Sequence, residues 1–228
     1  MLIVLLSLWL TVAVYAGAKR LYRWTNYLIL SPLVVCPVVI ITVLGTASVS
    51  YSSYYTGGHF LSYMLEPATV AMAVPIYKYR SLIRTYVTEI IISVTGAAMV
   101  AIVTSVAIAE QLGVNSQLAA SLAPRSVTTP LAINVSRMLG GNPTLTAVFV
   151  IITGLTGAVL TSLLLKWVKR PITQGMMFGI SAHGTGLSKA YEQGALEGAV
   201  ASIAMVFMGL ATIAIAPLLV PGCLRFFG

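Results

Sequence analysis

The chain has 228 residues, 58% of them hydrophobic and only 8% charged, with a net charge of +8 at pH 7. A water-soluble domain carries roughly 25% charged residues, so this composition excludes one and predicts an all-α polytopic membrane protein. The basic excess is no nucleic-acid signal, because thirteen basic residues cluster between apolar runs as positive-inside loops do, against five acidic residues that are all glutamate.

Residues 1–18 read as a first span that is not cleaved. Lys19 and Arg20 follow the apolar run, the reverse of a signal peptide's charge order, which places the N-terminus outside. "KRLYRWTNY" is a basic aromatic loop, and residues 28–48 form a second span containing Pro32 and Pro37. "SVSYSSYYTGGH" is polar and aromatic and reads as an outside loop whose tyrosines form an interfacial belt. Residues 60–77 are apolar but broken at Glu66-Pro67 and Pro75, and Lys78–Arg84 is a short basic loop. A smooth span, 85–108, precedes a second broken segment, 115–137, "SLAPRSVTTPLAIN" at its heart. After the turn "RMLGGNP" come a span at 144–165, the basic "KWVKRP", a glycine-rich segment at 172–192 and a last span at 195–222. That makes about six to eight membrane segments in a single membrane domain, 1–228. Cys36 and Cys223 form no CxxC or metal spacing and read as small core residues.

Part of the chain repeats. "LEPATV" at 65–70 matches "LAPRSV" at 122–127, and "TEIIISVTGAAM" at 88–99 matches "TAVFVIITGLTG" at 146–157. The units are 60–109 and 115–166, preceded by two N-terminal spans in 1–59 and followed by the glycine-rich segment and last span of 172–228. Two interrupted helices at corresponding places are the sequence pointer to a transporter's binding site. If every segment crossed, Lys78–Arg84 and Lys166–Arg170 would lie on opposite sides. One re-entrant broken segment puts both inside and inverts the second unit relative to the first.

A proline in a membrane helix frees backbone groups that lipid cannot satisfy, so such a break belongs in protein or beside a wet cavity. Pro67 and Pro124 are each suited to start a half-helix whose open amides attract an anion. Arg125 deep in a bilayer costs about 2.5–3.5 kcal/mol on insertion scales, and no aspartate exists to neutralise it. Two readings follow: Arg125 awaits a substrate carboxylate, or it reaches an interface or a structural glutamate. The expected binding set is Pro67, Ala68, Thr69, Arg125, Ser126, Thr128, Thr129, Asn134, His183, Gly184 and Thr185. Glu66, Glu89, His183 and Glu192 are the proton-coupling candidates, although His183 also reads as a buried, hydrogen-bonded residue. No nucleophile elbow, metal motif or phosphate loop is present, so no enzyme, metal or cofactor is expected.

"PRSVTTPLAINVSRMLGGNPTLTAVFVIITGLTGA" and "SAHGTGLSKAYEQGALEGAVASIAMVFMGLATIAIAPLL", with "PATVAMAVPIYK" before them, resemble the LrgB/CidB family, which includes the bacterial YohK-type proteins. The likeness covers essentially the whole chain. Arg125 stands where lysine is common in that family, which keeps the charge but alters its geometry. The resemblance implies a multi-pass protein of the bacterial cytoplasmic membrane, a homo- or hetero-oligomer with an LrgA/CidA-type partner. Two functions come with it: carriage of small carboxylates (pyruvate, glycolate or glycerate), and holin/antiholin-like control of murein hydrolases and autolysis. Paired broken helices around a buried arginine suit a carrier of small anions, whereas a lateral pore has no need of them.

Overall fold

The computed structural model describes residues 2–25, 27, 30–64, 67, 70–71 and 73–227. The described residues are helices joined by turns, with no strand among them, and they pack as two compact units, Met1–Ala71 and Met72–Gly228.

The first unit holds α1 (Leu2–Thr25), α2 (Pro32–Thr46) and α3 (Tyr51–Tyr63). The polar aromatic stretch expected as a loop is the helix α3. Ser50 caps it by accepting from the Ser53 amide at 3.2 Å. Its rings then meet at helical spacing, Tyr51 stacked on Tyr55, and Tyr55 with His59 and His59 with Tyr63 edge to face, with centroids 5.7, 5.5 and 4.4 Å apart. Gly57 lets α3 touch α1 directly, since a Cβ there would lie 2.6 Å from the Val4 carbonyl oxygen. Thr11 and Tyr54 share a hydrogen bond of 2.8 Å across the same contact. The second span is shorter than its apolar run, because Pro32 opens α2 and the helix is only 15 residues long.

The second unit holds α4 (Ala73–Lys78), α5 (Arg80–Thr85), α6 (Val87–Gln111), α7 (Ser116–Leu122), α8 (Thr129–Met138), α9 (Pro143–Leu164), α10 (Pro171–Gln193) and α11 (Ala195–Phe227). Among the described residues four helices are long and apolar enough to cross a membrane: Ile3–Thr25, Val87–Gln111, Pro143–Leu164 and Ala195–Phe227. Two further apolar stretches of this unit, 116–138 and 171–193, are broken helices that turn back on themselves.

In the first hairpin, α7 and α8 are its limbs. Ala123 packs with Ile102 and Val106 of α6, and Ala132 with Val150 of α9. Lower on the second limb, Ser136 meets Thr146, and the Asn142 amide returns to the Ser121 hydroxyl at 2.7 Å. The chain therefore leaves α6 and enters α9 at the same end of the unit. The second hairpin is α10 itself, which turns at His183, whose φ of 45° and ψ of −123° are not helical. Gly186 sits against the carbonyl of Phe178, eight residues earlier, which a straight helix would hold about 12 Å away. Gly175 then faces Glu197 and Val200, and Gly179 faces Ala201 and Ala204. The outer limb of α10 and the start of α11 thus run in the same direction, so this hairpin also begins and ends at one end.

That end is the opposite one. The starts of α6 and α10 line one cleft, so the basic segments Lys78–Arg84 and Lys166–Arg170 lie at the same end of the unit. The core is continuous along α6 and α11: Ile90, Val94, Ala98, Ile203 and Met208 in one cluster, and Ile102, Val106, Ala216 and Val220 in the next. Cys223 packs against the latter; both cysteines are free and only half-buried.

Glycines set the close approaches. A Cβ on Gly157 would overlap the Ser181 carbonyl and lie 3.3 Å from the Ala182 Cα, whereas one on Gly96 would meet nothing within 4 Å. Gly157→Ala should therefore lower stability by about 1–3 kcal/mol as overpacking does. Gly96→Ala should be neutral or gain up to about 1 kcal/mol from helix propensity. Thermal unfolding in detergent compares the two.

Candidate functional site

The break in the first hairpin has a local cause. The Ala123 amide closes the last bond of α7 to Ala119, and Pro124, having no N–H, cannot continue the helix. A turn follows, with the Arg125 amide donating to the Leu122 carbonyl at 3.1 Å. The half-helix expected to begin at Pro124 begins instead at Thr129. Thr128 is its N-cap, and Pro130 takes the first-turn place where a missing N–H costs nothing. Pro124 itself is buried in the turn.

Arg125 projects from this turn between two spans. Its Nε donates to the Ser105 hydroxyl of α6 at 2.8 Å, and its Nη1 donates to the Thr153 hydroxyl of α9 at 3.4 Å. Ser105 donates its own hydrogen to the Ala101 carbonyl, so its lone pairs face the guanidinium. A guanidinium has five N–H donors, and these two bonds leave the rest open among the described residues. No carboxylate pairs with it there; the ion pair described is Lys189–Glu192, 2.7 Å, on an exposed turn of α10.

The turn of the second hairpin meets it. His183 is only 3% exposed, close enough to Arg125 to feel its charge, with the Ser126 backbone beside its ring. Its Nε2 is buried with no hydrogen-bond partner among the described residues. Gly154 of α9 backs this turn: a Cβ there would lie 3.2 Å from the Thr185 hydroxyl, 3.4 Å from the Ala182 carbonyl and 3.7 Å from His183 Nδ1. Thr153 and Gly154 are the middle of the 22-residue α9, about 15 Å from either end.

Of the expected site residues, the fold brings together Arg125, Ser126, His183 and Thr185. Thr128 and Thr129 stand half-buried at the start of α8. Asn134 is exposed one turn further on, where Arg137 reaches it at 3.5 Å, and Gly184 faces open space. Glu192 is exposed and paired with Lys189. Glu89, also exposed, lines a cleft of about 500 Å³ with Ser93, Arg170 and Thr173, away from the arginine. Pro67 is helical and exposed in the first unit, while Glu66, Ala68 and Thr69 lie outside the described residues. Ser105, Thr153 and Gly154 are site residues that pattern alone passes over. Each is an ordinary small residue of an apolar span, and only the three-dimensional level of Arg125 singles it out.

Chemically the cluster is a cation with spare donors, an unpartnered imidazole nitrogen, and small neutral residues around them. Such a place fits a small anion, whose carboxylate a guanidinium grips bidentately. No group of three or more metal-ligating side chains occurs among the described residues.

Long apolar helices and broken hairpins around a buried polar centre define a helical, multi-pass membrane protein. The profile of the LrgB-like family matches residues 11–221, and the chain belongs to that family. It is 43% identical over 221 residues to the uncharacterized protein YwbG of Bacillus subtilis, covering 96% of this chain and 98% of that one. It is 32% identical over 217 residues to the holin-like protein CidB of Staphylococcus epidermidis, covering 94% of this chain and 95% of that one. It is also 32% identical over 198 residues to the antiholin-like protein LrgB of Bacillus mycoides, covering 86% of each. No solved structure matches the chain.

Removing Ser105's hydroxyl should cost more than removing Thr153's, because the shorter bond carries the half-buried charge. Ser105→Ala is expected to lose about 1.5–3 kcal/mol of stability, the range for a hydrogen bond to a charged group. Thr153→Ala should lose less than half of that, read by thermal unfolding of the detergent-solubilised protein.

Proposed function

We propose that this protein is a secondary transporter of small monocarboxylates, of the pyruvate, glycolate or glycerate class. The observation that carries the reading is Arg125: a guanidinium at the middle level of α9 with open donors and no carboxylate partner among the described residues. A half-buried charge at this level of a membrane helix is costly without a counter-ion, and a bound carboxylate removes that cost. His183, Ser126 and Thr185 frame the rest of a small polar substrate. In a bilayer about 30 Å thick the site sits at mid-depth, where broken helices of transporters hold their substrates.

The two hairpins are then re-entrant, one from each face. Both basic segments of the second unit lie inside under the positive-inside rule. The membrane is the bacterial cytoplasmic membrane, and an LrgA/CidA-type protein is the partner, as the family resemblance implies. Glu89 and Glu192 are exposed and apart from the arginine, so the coupling candidates are His183 within the site and Glu66, which lies outside the described residues. The names of the relatives, holin-like and antiholin-like, favour a second reading: modulation of murein hydrolases and autolysis. On the transporter reading such effects follow from carboxylate flux.

The test is uptake of labelled pyruvate and glycolate into proteoliposomes, with and without the partner. Wild-type protein should give saturable uptake. Arg125→Gln should lower it about 10- to 100-fold, as loss of a charge-assisted bond implies, with thermal unfolding showing an intact fold. Dye leakage without saturable uptake would support the pore reading instead.

A further inference from the structure

The second unit contains an inversion. From the basic end, α6 crosses and a hairpin returns from the far end; from the far end, α9 crosses and a hairpin returns from the basic end. Arg125 and His183, at the two turns, are 58 residues apart in sequence, the same offset that aligns "TEIIISVTGAAM" with "TAVFVIITGLTG". The hairpins are thus counterparts, and inverted counterparts around one site are the architecture of alternating access.

They are not held alike. The first hairpin is tied to α9 by a buried polar knot. Thr146 donates to the Ser121 carbonyl at 2.9 Å, with its hydroxyl 2.7 Å from that of Ser136, and the Asn142 amide donates to Ser121. Ser121, Ser136 and Thr146 are all fully buried. Bonds of this kind, shielded from water, resist relative movement. The second hairpin has a single hydroxyl bond to α9 among the described residues, Thr161 with Ser181 at 2.8 Å, and otherwise approaches its neighbours at glycines: Gly175 and Gly179 on α11, Gly157 on Ser181, and Gly198 under the Tyr191 ring. Shear motions are small slides of closely packed helices of this kind. Two pivots bound its inner limb, 184–193. At one end is His183, with positive φ, followed by Gly184, which has no neighbour within 4 Å of its Cβ position; at the other is the C-cap Gly194.

The α6–α10 cleft opens on the same basic end. Glu89, Ser93, Arg170 and Thr173 give it a polar lining, and it ends at Ile90 and Met176, which belong to or pack on the core cluster below the site. We propose that hairpin 171–193 is the moving gate between this cleft and the Arg125–His183 site, and that hairpin 116–138 is a fixed wall. This rests on the transporter reading.

The experiment uses full-length protein with Cys36 and Cys223 replaced by alanine and two engineered disulfides. Tyr191→Cys with Gly198→Cys spans the Gly194 pivot, where the ring touches the glycine. Ser136→Cys with Thr146→Cys, hydroxyls 2.7 Å apart, locks the other hairpin. Oxidation of the first pair should stop pyruvate uptake into proteoliposomes, and reduction should restore it. Oxidation of the second should leave uptake unchanged. Uptake that survives the 191–198 bond, or stops equally with either bond, overturns the gate. Absence of saturable uptake in the wild-type protein would instead sink the transporter reading. Hydrogen exchange on the wild-type protein needs no variant. Amides of 184–193 should exchange faster than those of 129–138 and slow on adding pyruvate; equal protection of the two limbs also overturns the proposal.

Discussion

A guanidinium held at the centre of an apolar helix unit by two neutral hydroxyls is the interaction on which the rest of the second unit depends. Arg125 is half-buried in the turn beyond the end of α7. It cannot be neutralised by an aspartate, because the chain has none. Ser105 and Thr153 therefore fix its place from α6 and α9, and Ser105 is oriented for the task by its own bond to Ala101. Two spans and a hairpin are registered against each other by one charged side chain.

The second hairpin completes the centre. Helix breaks expose backbone and polar side chains that lipid cannot satisfy, so they are tolerated where they face protein or a wet cavity. Here the two turns face each other: the Ser126 backbone stands beside the His183 ring, and Gly154 gives the His183 turn room against α9. Glycine at 157, 175, 179 and 186 is what permits α9, α10 and α11 to approach to backbone contact. The α10 hairpin has one hydroxyl bond to α9 among the described residues, between Thr161 and Ser181, where its counterpart has a cluster of them around Ser121, Ser136 and Thr146. Pseudo-symmetry in the topology thus coexists with asymmetry in the bonding, and the proposed transport cycle draws on both.

Membership of the LrgB-like family places the chain among proteins named for holin-like and antiholin-like behaviour. A lateral pore needs apolar and polar faces that associate between copies. It gives no reason for an arginine with open donors and no carboxylate partner among the described residues, or for an imidazole nitrogen left open beside it. A carrier of small carboxylates gives a reason for both, which is why the site weighs toward transport within a family whose names point to lysis.

Much of this was legible in the residues. Composition determined a helical membrane protein, because so few charges leave nothing to face water over most of the surface. Proline with arginine at 124–125, and histidine at 183, marked the two breaks whose turns meet, since each carries a cost in lipid that chemistry must offset. Pattern failed where meaning is relational. The tyrosine-rich stretch became α3 because its rings meet at helical spacing and Gly57 finds α1, neither of which polarity reveals. Glu89 and Glu192 were set apart from the arginine by distance in space, not by residue type. Among the described residues four helices are long and apolar enough to cross, and 116–138 and 171–193 turn back at their breaks. Local chemistry determined where the helices end and which side chains need partners. Only the tertiary structure decided that 116–138 and 171–193 return to the ends they came from and meet at Thr153 and Gly154. Direction after a break depends on what the next limb packs against, and those contacts lie far away in the chain.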